Sequence, residues 1–503
     1  MFLRLRNIES IACKNKLIFR TSQILCYFCR MKRLFLSILL SLSLGFVAEA
    51  QKIALKRSIT HPQPMTGLAV WPYKAAEIHG SYGDCIQLEF NYFLPCRLVK
   101  GCQEDGTIIY DWSYFDSALS DVASRGHQLV ARFRYEYPNS DDVDGKVGST
   151  AVPAYIKQLP GYQETWSDEN QTYYADWRCA ELERFTLQFY SDFMQRYARD
   201  PRLAFLEVGF GHWSEYHIYP TKVEYGKNFP SLAFQKTFLL HLSQMADALP
   251  WLVSKNAADN SPIVDDNELL ALTFGLFEDS FMGDYFLKGG YAKAWRNLGG
   301  QTRWHTGVYG GEIYPPEKES FLRPGGLNGH TIDEMLFNYH ITFMNANAAP
   351  DSQYGTPERL KQLSMFMGYH FVVKDAFMEN GKTKLLVGNE GIAPIYRDAY
   401  FAIGDVRSET SLKALLPGAE IWVEIATVPA MDASEIKIVC DYILPSQEIE
   451  FEADIDDATA LETPCFDAAV ASKHEPCYNL AGQVLSAPVK GVNIVGGQKI
   501  LLK

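Results

Sequence analysis

The chain has 503 residues, 47% of them apolar and 21% charged, which is ordinary for a globular protein and enough to bury a large core in two folded units. Its formal charge is −13; the first fifty residues hold eight Lys or Arg against two Asp or Glu, which is +6, so the remainder stands at −19. So acidic a surface, with no basic patch to offset it, repels phosphate backbones and anionic lipid heads and argues against nucleic-acid binding.

Residues 1–50 read as a misplaced start followed by an export signal. Met31-Lys-Arg opens a basic stretch, Leu34 to Val47 is apolar but short and broken by serines, and Ala48-Glu49-Ala50 fits a small-x-small cleavage site. The mature chain is expected to begin near Gln51 and to be exported to the periplasm, the cell surface or the outside. An uncleaved leader serving as a membrane anchor is the alternative. No other segment approaches transmembrane length.

From about residue 66 to 375 strand and helix signals alternate. Thr66 to Trp71 is a short first strand. In Cys85-Ile-Gln-Leu-Glu-Phe-Asn-Tyr92 the apolar residues Ile86, Leu88, Phe90 and Tyr92 share one face and Cys85, Gln87, Glu89 and Asn91 the other. Gln128 to Tyr135 repeats the device, with Arg132 and Arg134 opposite Leu129, Ala131, Phe133 and Tyr135. Between them, Asp111 to Gly126 has helical apolar spacing and a glycine stop, completing a βαβ unit. Further strands are expected at Leu203 to Gly209, Trp251 to Lys255, Leu269 to Phe277, Thr306 to Glu312 and Ile341 to Ala346, with helices at Ala180 to Arg199, Ser231 to Leu249, Tyr291 to Leu298, Thr331 to Tyr339 and Pro357 to Met367. Eight strands alternating with helices predict a (β/α)8 TIM-type barrel over 51–376. A doubly wound open sheet is the alternative, weakened because no glycine-rich phosphate loop follows an early strand.

After residue 377 short strands replace helices, and 377–453 reads as a small β-sandwich, packed against the barrel or binding glycans. Residues 454–503 form a separate tail. Its stretch from Tyr478 to Lys499 is similar to the C-terminal tails of many proteins exported by bacteria that use type IX secretion, which implies delivery to the surface or outside; a final hairpin of the sandwich is the alternative. Ten cysteines include three ahead of the signal, Cys13, Cys26 and Cys29. Among the rest, Cys96 with Cys102, or Cys465 with Cys477, could close loops in an oxidising compartment, with buried free thiols as the alternative. There is no CxxC pair or HExxH helix in the mature chain, and no metal or organic cofactor is demanded.

Two glutamates stand at the ends of buried strands where a parallel barrel gathers its functional groups: Glu215 after the fourth strand and Glu312 at the end of the seventh. Two facing carboxyl groups amid aromatics point to glycoside hydrolysis, in which one protonates the leaving oxygen and the other stays ionised. His212, Trp213, Tyr216 and His217 offer Glu215 an aromatic wall of the kind that raises a carboxyl pKa, making it the acid/base. Glu312, on Gly310-Gly311 where a substrate can approach closely, with Tyr309 and His305 near in sequence as donors, is the nucleophile or base. Arg132 and Arg134 either orient a carboxylate through bidentate hydrogen bonds or form ion pairs with Glu89 or Glu136. Glu278 and Asp279 bind substrate hydroxyls or sit in a solvated turn. Glu136 and Trp166 are weaker candidates. For a single Glu beside a helix start, capping or an ion pair is the bland alternative.

Several motifs together carry a resemblance. Gly209-Phe-Gly-His-Trp-Ser-Glu-Tyr-His217, Gly310-Gly-Glu-Ile313, Asp279-Ser-Phe281, Ser124-Arg-Gly-His127 with Arg132-Phe-Arg-Tyr-Glu-Tyr-Pro138, and Asn389-Glu-Gly-Ile-Ala-Pro-Ile-Tyr396 resemble the uncharacterised bacterial family called domain of unknown function 4832, with its N-terminal companion 4874, over roughly residues 60 to 450. That family resembles the retaining glycosidases with a TIM barrel, which implies Glu215 as acid/base and Glu312 as nucleophile. The Asn that such enzymes place just before the acid/base is Ser214 here, a departure that touches the contact to the substrate 2-hydroxyl. The expectation is therefore a secreted glycoside hydrolase acting on a carbohydrate by double displacement, with the two carboxyl groups about 5 Å apart. A non-catalytic surface glycan-binding protein on the same barrel is the alternative.

Overall fold

The structure is a computed structural model, and it describes residues 51–75, 83–245, 249–287, 289–317, 320–346, 353–413, 415–426, 433–456, 477–479, 484–485, 491–495 and 498–502. The expected leader and its cleavage site lie outside the described residues. Those up to Asp456 form one compact unit and those from Asp457 onward a second.

Eight parallel strands close into a barrel: β1 (Gly67–Val70), β2 (Ile86–Phe93), β3 (Gln128–Phe133), β4 (Leu203–Val208), β5 (Trp251–Ser254), β6 (Gly275–Phe281), β7 (Tyr309–Ile313) and β8 (Phe343–Asn345), with β8 pairing back onto β1. The expected (β/α)8 fold is the one present. Helices Ser113–Ser124, Ala180–Tyr197, Leu232–Met245, Gly290–Asn297, Ile332–Asn338 and Pro357–Phe366 fall in the connections between strands or after β8. Their starts are written in local chemistry: Thr331 and Thr356 accept from the backbone N–H of Glu334 and Arg359, and Pro357 fills the first helical turn without leaving a donor stranded. One boundary differs from expectation. The run from Leu269 does not open β6, because the Asp266 carboxylate accepts from the N–H groups of Glu268 and Leu269 and winds Asn267–Leu270 into a helical turn first.

Alternation along the strands sorts side chains between two layers. On β3, Leu129, Ala131 and Phe133 pack outward with Phe115, Leu119 and Val122 of the first long helix, while Val130 joins Phe205, Leu252, Phe277 and Phe343 in the other core. Arg132 thus turns inward. On the polar face of β2, Glu89 turns out towards the helix layer, fully buried, where Arg125 holds it at 2.7 Å and His127 at 2.7 Å. Neither Arg132 nor Arg134 pairs with it.

Beyond β8 the chain builds two further sheets. The larger runs in the order Glu420–Ala426, Lys382–Asn389, Phe371–Glu379, Glu452–Ile455, Leu55–Arg57, with Gln51–Lys52 also on Phe371–Glu379; the smaller joins Val406–Arg407, Ala399–Ile403 and Ile436–Cys440. Their facing residues, among them Val387, Val423, Phe401 and Ile438, share one core. Residues 51–57 therefore belong to this layer and not to the barrel, because Leu55 and Arg57 register with Ile455 and Ala453. The layer sits at the N-terminal end of the barrel strands: the Gln128 side chain donates to the Tyr442 carbonyl at 2.9 Å, and the Tyr396 hydroxyl to the Trp304 carbonyl at 2.7 Å.

In the second unit four short antiparallel strands pair in the order Val484–Leu485, Cys477–Asn479, Gly491–Val495, Gln498–Leu502. The suggested Cys96–Cys102 bridge is absent, since both are free thiols. Cys465, and with it the Cys465–Cys477 pairing, lies outside the described residues. Among the described residues no helix is long and apolar enough to cross a membrane.

The barrel floor gives a direct test. Phe343 is fully buried and stacks on Phe205 at 5.3 Å between ring centres. Phe343→Ala should cost about 3–5 kcal/mol in urea unfolding, the loss typical of emptying a buried aromatic site.

Candidate active site

Glu215 is delivered by a chain reversal that the sequence builds from glycine. After β4 the backbone N–H groups of Phe210 and Gly211 donate to the Glu215 carbonyl, and that of His212 to the His217 carbonyl, so residues 209–217 fold back on themselves. A Cβ on Gly209 would lie 2.0 Å from the Ser214 carbonyl oxygen, and one on Gly211 2.1 Å from that of His217; only glycine permits the reversal. Trp213 and Ser214 take left-handed φ values of 53° and 61°, a strained pair at the apex. The Ser214 hydroxyl donates to the Gly209 carbonyl at 3.1 Å and is buried in the turn.

Glu215 and Glu312 border one cavity of about 590 Å³ at the C-terminal ends of the barrel strands, together with Glu278 and Asp279 from β6 and Lys255 after β5. Its walls are aromatic: Trp71, Tyr73, Tyr92, Tyr137, Trp213 and Tyr219. Glu312 is 9% exposed and accepts from the Asn345 side-chain amide on neighbouring β8 at 3.2 Å. Gly310 and Gly311 serve packing rather than substrate approach. A Cβ on Gly310 would meet the Phe343 ring at 2.3 Å, and one on Gly311 the Glu278 carbonyl oxygen at 2.1 Å.

The carboxyl groups differ sharply in their affinity for protons. Burial pushes Glu215 up, but the neighbouring charges outweigh it, above all His217, whose Nε2 lies 3.7 Å away, and then Arg132 and Lys255; the group ends below the ordinary carboxylate value. The aromatic wall expected to raise it is overruled by these cations. Glu278 goes the other way. Burial raises it to about 8 against the pull of Lys255, whose Nζ is 3.9 Å away, and the Glu215 charge adds to the rise. Its Oε1 accepts from the Ser280 N–H at 2.8 Å, while Oε2 has no hydrogen-bond partner among the described residues. Burial likewise lowers Lys255, which lies over the Tyr291 ring.

Beneath the cavity a buried guanidinium carries the arrangement. Arg132 is 1% exposed; its Nε and Nη2 donate to Glu207 on β4, its Nη1 to Asp279 on β6 at 2.6 Å and to the Trp213 carbonyl at 3.1 Å. It lies between the rings of Phe90 and Phe277. One cation serves two carboxylates, Glu207 fully buried and Asp279 at the cavity edge with its side chain 16% exposed; burial raises both acids, Glu207 to about 7, while the pair holds Arg132 above its ordinary value despite burial.

Of the residues singled out from the sequence, Glu215, Glu312, Trp213, His217 and Asp279 border the cavity. Arg132 is a partner of Asp279, and Arg134 borders a neighbouring cavity. His212 is fully buried, its Nε2 3.1 Å from the Tyr174 hydroxyl; burial lowers it to about 3, leaving it neutral. Tyr309 turns out to Trp295 in the helix layer because it lies an odd number of residues from Glu312 on the same strand. His305 belongs to a separate cavity with Tyr396. Glu136 is buried, accepting from the Ala175 N–H, and Trp166 sits on a hairpin beside Tyr173. Missed altogether were Lys255 and Tyr291; Lys255 closes the apolar run of β5, a position that could have flagged it. Among the described residues no group of three His, Cys, Asp or Glu side chains is placed to hold a metal ion.

Two measurements probe these charges. Arg132→Gln leaves Glu207 and Asp279 without their cation and should cost about 3–5 kcal/mol of unfolding free energy, part of it recovered on adding Glu207→Gln. Glu278 keeps its proton in the folded chain up to about pH 8 whereas the unfolded chain releases it near the ordinary value of 4.5, so this group makes stability fall as pH rises between those values. Glu278→Gln should therefore gain stability relative to the parent from pH 5 to 8 in parallel denaturation series.

No family model matches the chain, so the likeness of its motifs to domain of unknown function 4832 stays a resemblance, and no curated protein matches it. Among solved structures it is similar to endoglycoceramidase II from Rhodococcus sp. in complex with a cellobiose-like isofagomine, at 12% identity and a TM-score of 0.39, covering 75% of this chain and 100% of that one. It is similar also to the catalytic domain of β-amylase from Paenibacillus polymyxa, at 11% identity and a TM-score of 0.36, covering 60% and 99%. The β-galactosidase from psychrophilic Marinomonas ef1 follows at 8% identity and a TM-score of 0.32, covering 59% and 58%. The barrel rests on its own strand pairing, and these distant likenesses say nothing of chemistry.

Proposed function

We propose that this chain is an exported glycoside hydrolase that holds a sugar between Glu215 and Glu312. The observation that carries the reading is the pairing itself: two nearly buried carboxyl groups, one after β4 and one in β7, border a single aromatic-walled cavity. Aromatic faces suit the apolar faces of sugar rings, and two carboxyl groups are the minimum set for glycosidic cleavage. The motif resemblance supports the same assignment. Export rests on the leader of residues 31–50 and on the tail's likeness to secretion signals.

In this reading Glu312, held by Asn345, attacks the anomeric carbon while Glu215 gives its proton to the leaving oxygen. Glu215, now a base, draws a proton from water as the water releases the sugar, with configuration retained. The groups around Glu215 hold its carboxyl below the ordinary value, and a bound leaving sugar strips its water and raises it towards the protonated form that the first step needs.

One observation favours a second assignment of the proton donor. Burial raises Glu278 to about 8, so it carries a proton at neutral pH, and its Oε2 has no hydrogen-bond partner among the described residues. Variants and leaving groups separate the two. With a glycan substrate, Glu215→Gln should lower kcat by about 10²–10⁴, the span typical of general acid catalysis, while 2,4-dinitrophenyl glycosides, whose leaving group needs no proton, should hardly respond in their first step. Glu312→Gln should abolish turnover on both, and NMR of the first-formed product should show retention. The same leaving-group pattern in Glu278→Gln and not in Glu215→Gln would move the donor to Glu278. Binding without turnover on any glycan would make the chain a non-catalytic glycan-binding protein.

A further inference from the structure

Two arginines stand near the mouth, Arg132 on β3 and Arg134 just past its end, and their circumstances differ. Arg132 is compensated twice over by Glu207 and Asp279. Arg134, whose side chain is 4% exposed, has one carboxylate, Asp142, at 2.9 Å, and that partner is 56% exposed. A carboxylate so open to water compensates a buried charge weakly. The Arg134 Nε and Nη1 have no hydrogen-bond partner among the described residues. Burial accordingly pulls Arg134 below its ordinary value, the attraction of Asp142 notwithstanding. Unpaired guanidinium nitrogens at such a depth are costly and call for an anion.

Arg134 borders a cavity of about 340 Å³ formed between the loops that follow β1, β2 and β3, with Arg97 and Tyr114 on another side. The Arg134 guanidinium lies on the Tyr137 ring at 3.8 Å, and Arg97 lies 5.5 Å from the Tyr114 ring centre. This cavity shares Trp71, Tyr73, Tyr92 and Tyr137 with the cavity of Glu215 and Glu312. A chain of sugars can therefore run from one into the other across common aromatic walls. Their charges oppose. Four carboxyl groups against one lysine, Lys255, border the first, whereas the second offers two guanidinium groups against the single carboxylate of Asp142.

We propose that the cavity at Arg134 is a subsite for an anionic sugar, carrying a carboxylate or a sulfate, next to the sugar held between Glu215 and Glu312. This rests on the hydrolase reading for the sugar. The acidic main cavity repels a negative substituent, so the anion has one place to go, and that fixes the direction in which the substrate lies. A planar carboxylate meets the guanidinium of Arg134 through paired N–H donors, with Arg97 as a second cation at the rim.

The experiment measures affinity by calorimetry in the Glu312→Gln variant, so that binding is read whether or not the chain hydrolyses anything. The panel holds galacturonic, glucuronic and mannuronic acid oligosaccharides, the same oligosaccharides with their carboxyl groups reduced to alcohols, and neutral galactose oligosaccharides with and without 6-sulfate. At least one acidic member should bind roughly tenfold more tightly than its uncharged counterpart, the worth of one charge-assisted hydrogen bond. Preference for the uronic or for the sulfated member names the source of the anion. Adding Arg134→Gln or Arg97→Gln should erase the preference. Asp142→Asn should strengthen acidic binding several-fold, a gain that misfolding cannot imitate. Equal affinity for charged and uncharged partners, or no binding by any acidic member, overturns the proposal. Hydrolysis of neutral glycans without acid preference would overturn it and leave the hydrolase reading intact, while acid-selective binding without turnover in the parent chain would do the reverse.

Discussion

The mouth of this barrel depends on one buried guanidinium. Arg132 ties β3 to β4 through Glu207 and to β6 through Asp279, and it also holds the Trp213 carbonyl at the apex of the turn that presents Glu215. Three strands and the most strained stretch of backbone near the cavity are thereby referred to a single group. The barrel interior below is apolar, with Phe205, Phe277 and Phe343 filling it. Without the arginine, Glu207 would be left buried above an aromatic floor with no cation, and Asp279 beside it at the cavity edge.

The same charge logic divides the rest of the mouth. Cations gathered around Glu215 hold it ionised, while Glu278, screened from water and facing a lysine that burial has itself weakened, keeps a proton to about pH 8. Two carboxyl groups in one cavity with opposite tendencies are what acid/base chemistry requires, and environment rather than residue type sets them apart. Arg132 on β3 and Arg134 just past its end show the principle again: one lies in a closed set of partners and the other beside a cavity that still wants a counter-charge.

Much of this was legible in the sequence, for reasons that can be stated. Strand and helix periods survive in the local pattern, so the eight strands and the placement of Glu215 and Glu312 followed from apolar runs and glycine stops. What failed were inferences about direction. Gln87, Glu89 and Asn91 share a face, but periodicity cannot say whether that face meets helices or the interior, and Glu89 met Arg125. Tyr309 lay close to Glu312 in the chain yet on the other side of its strand. Proximity in sequence likewise made an aromatic wall of His217, whose Nε2 lies 3.7 Å from Glu215 and pulls its carboxyl down. The partners that decide the pKa values, Lys255 and Arg132, come from other strands, and no local pattern reports them.

The two ends of the larger unit meet in one sheet: Leu55–Arg57, ahead of the barrel, pairs with Glu452–Ile455, which closes the unit nearly four hundred residues later. The barrel is thus a loop whose ends are clasped by the sandwich beneath it. A fragment cut at residue 376 would keep every cavity residue and lose the clasp, leaving an unpaired edge strand and the apolar underside of the barrel bare to solvent. For the same reason the clasp must close late in folding, since its strands come from opposite ends of the chain and the loop-closure entropy is largest there.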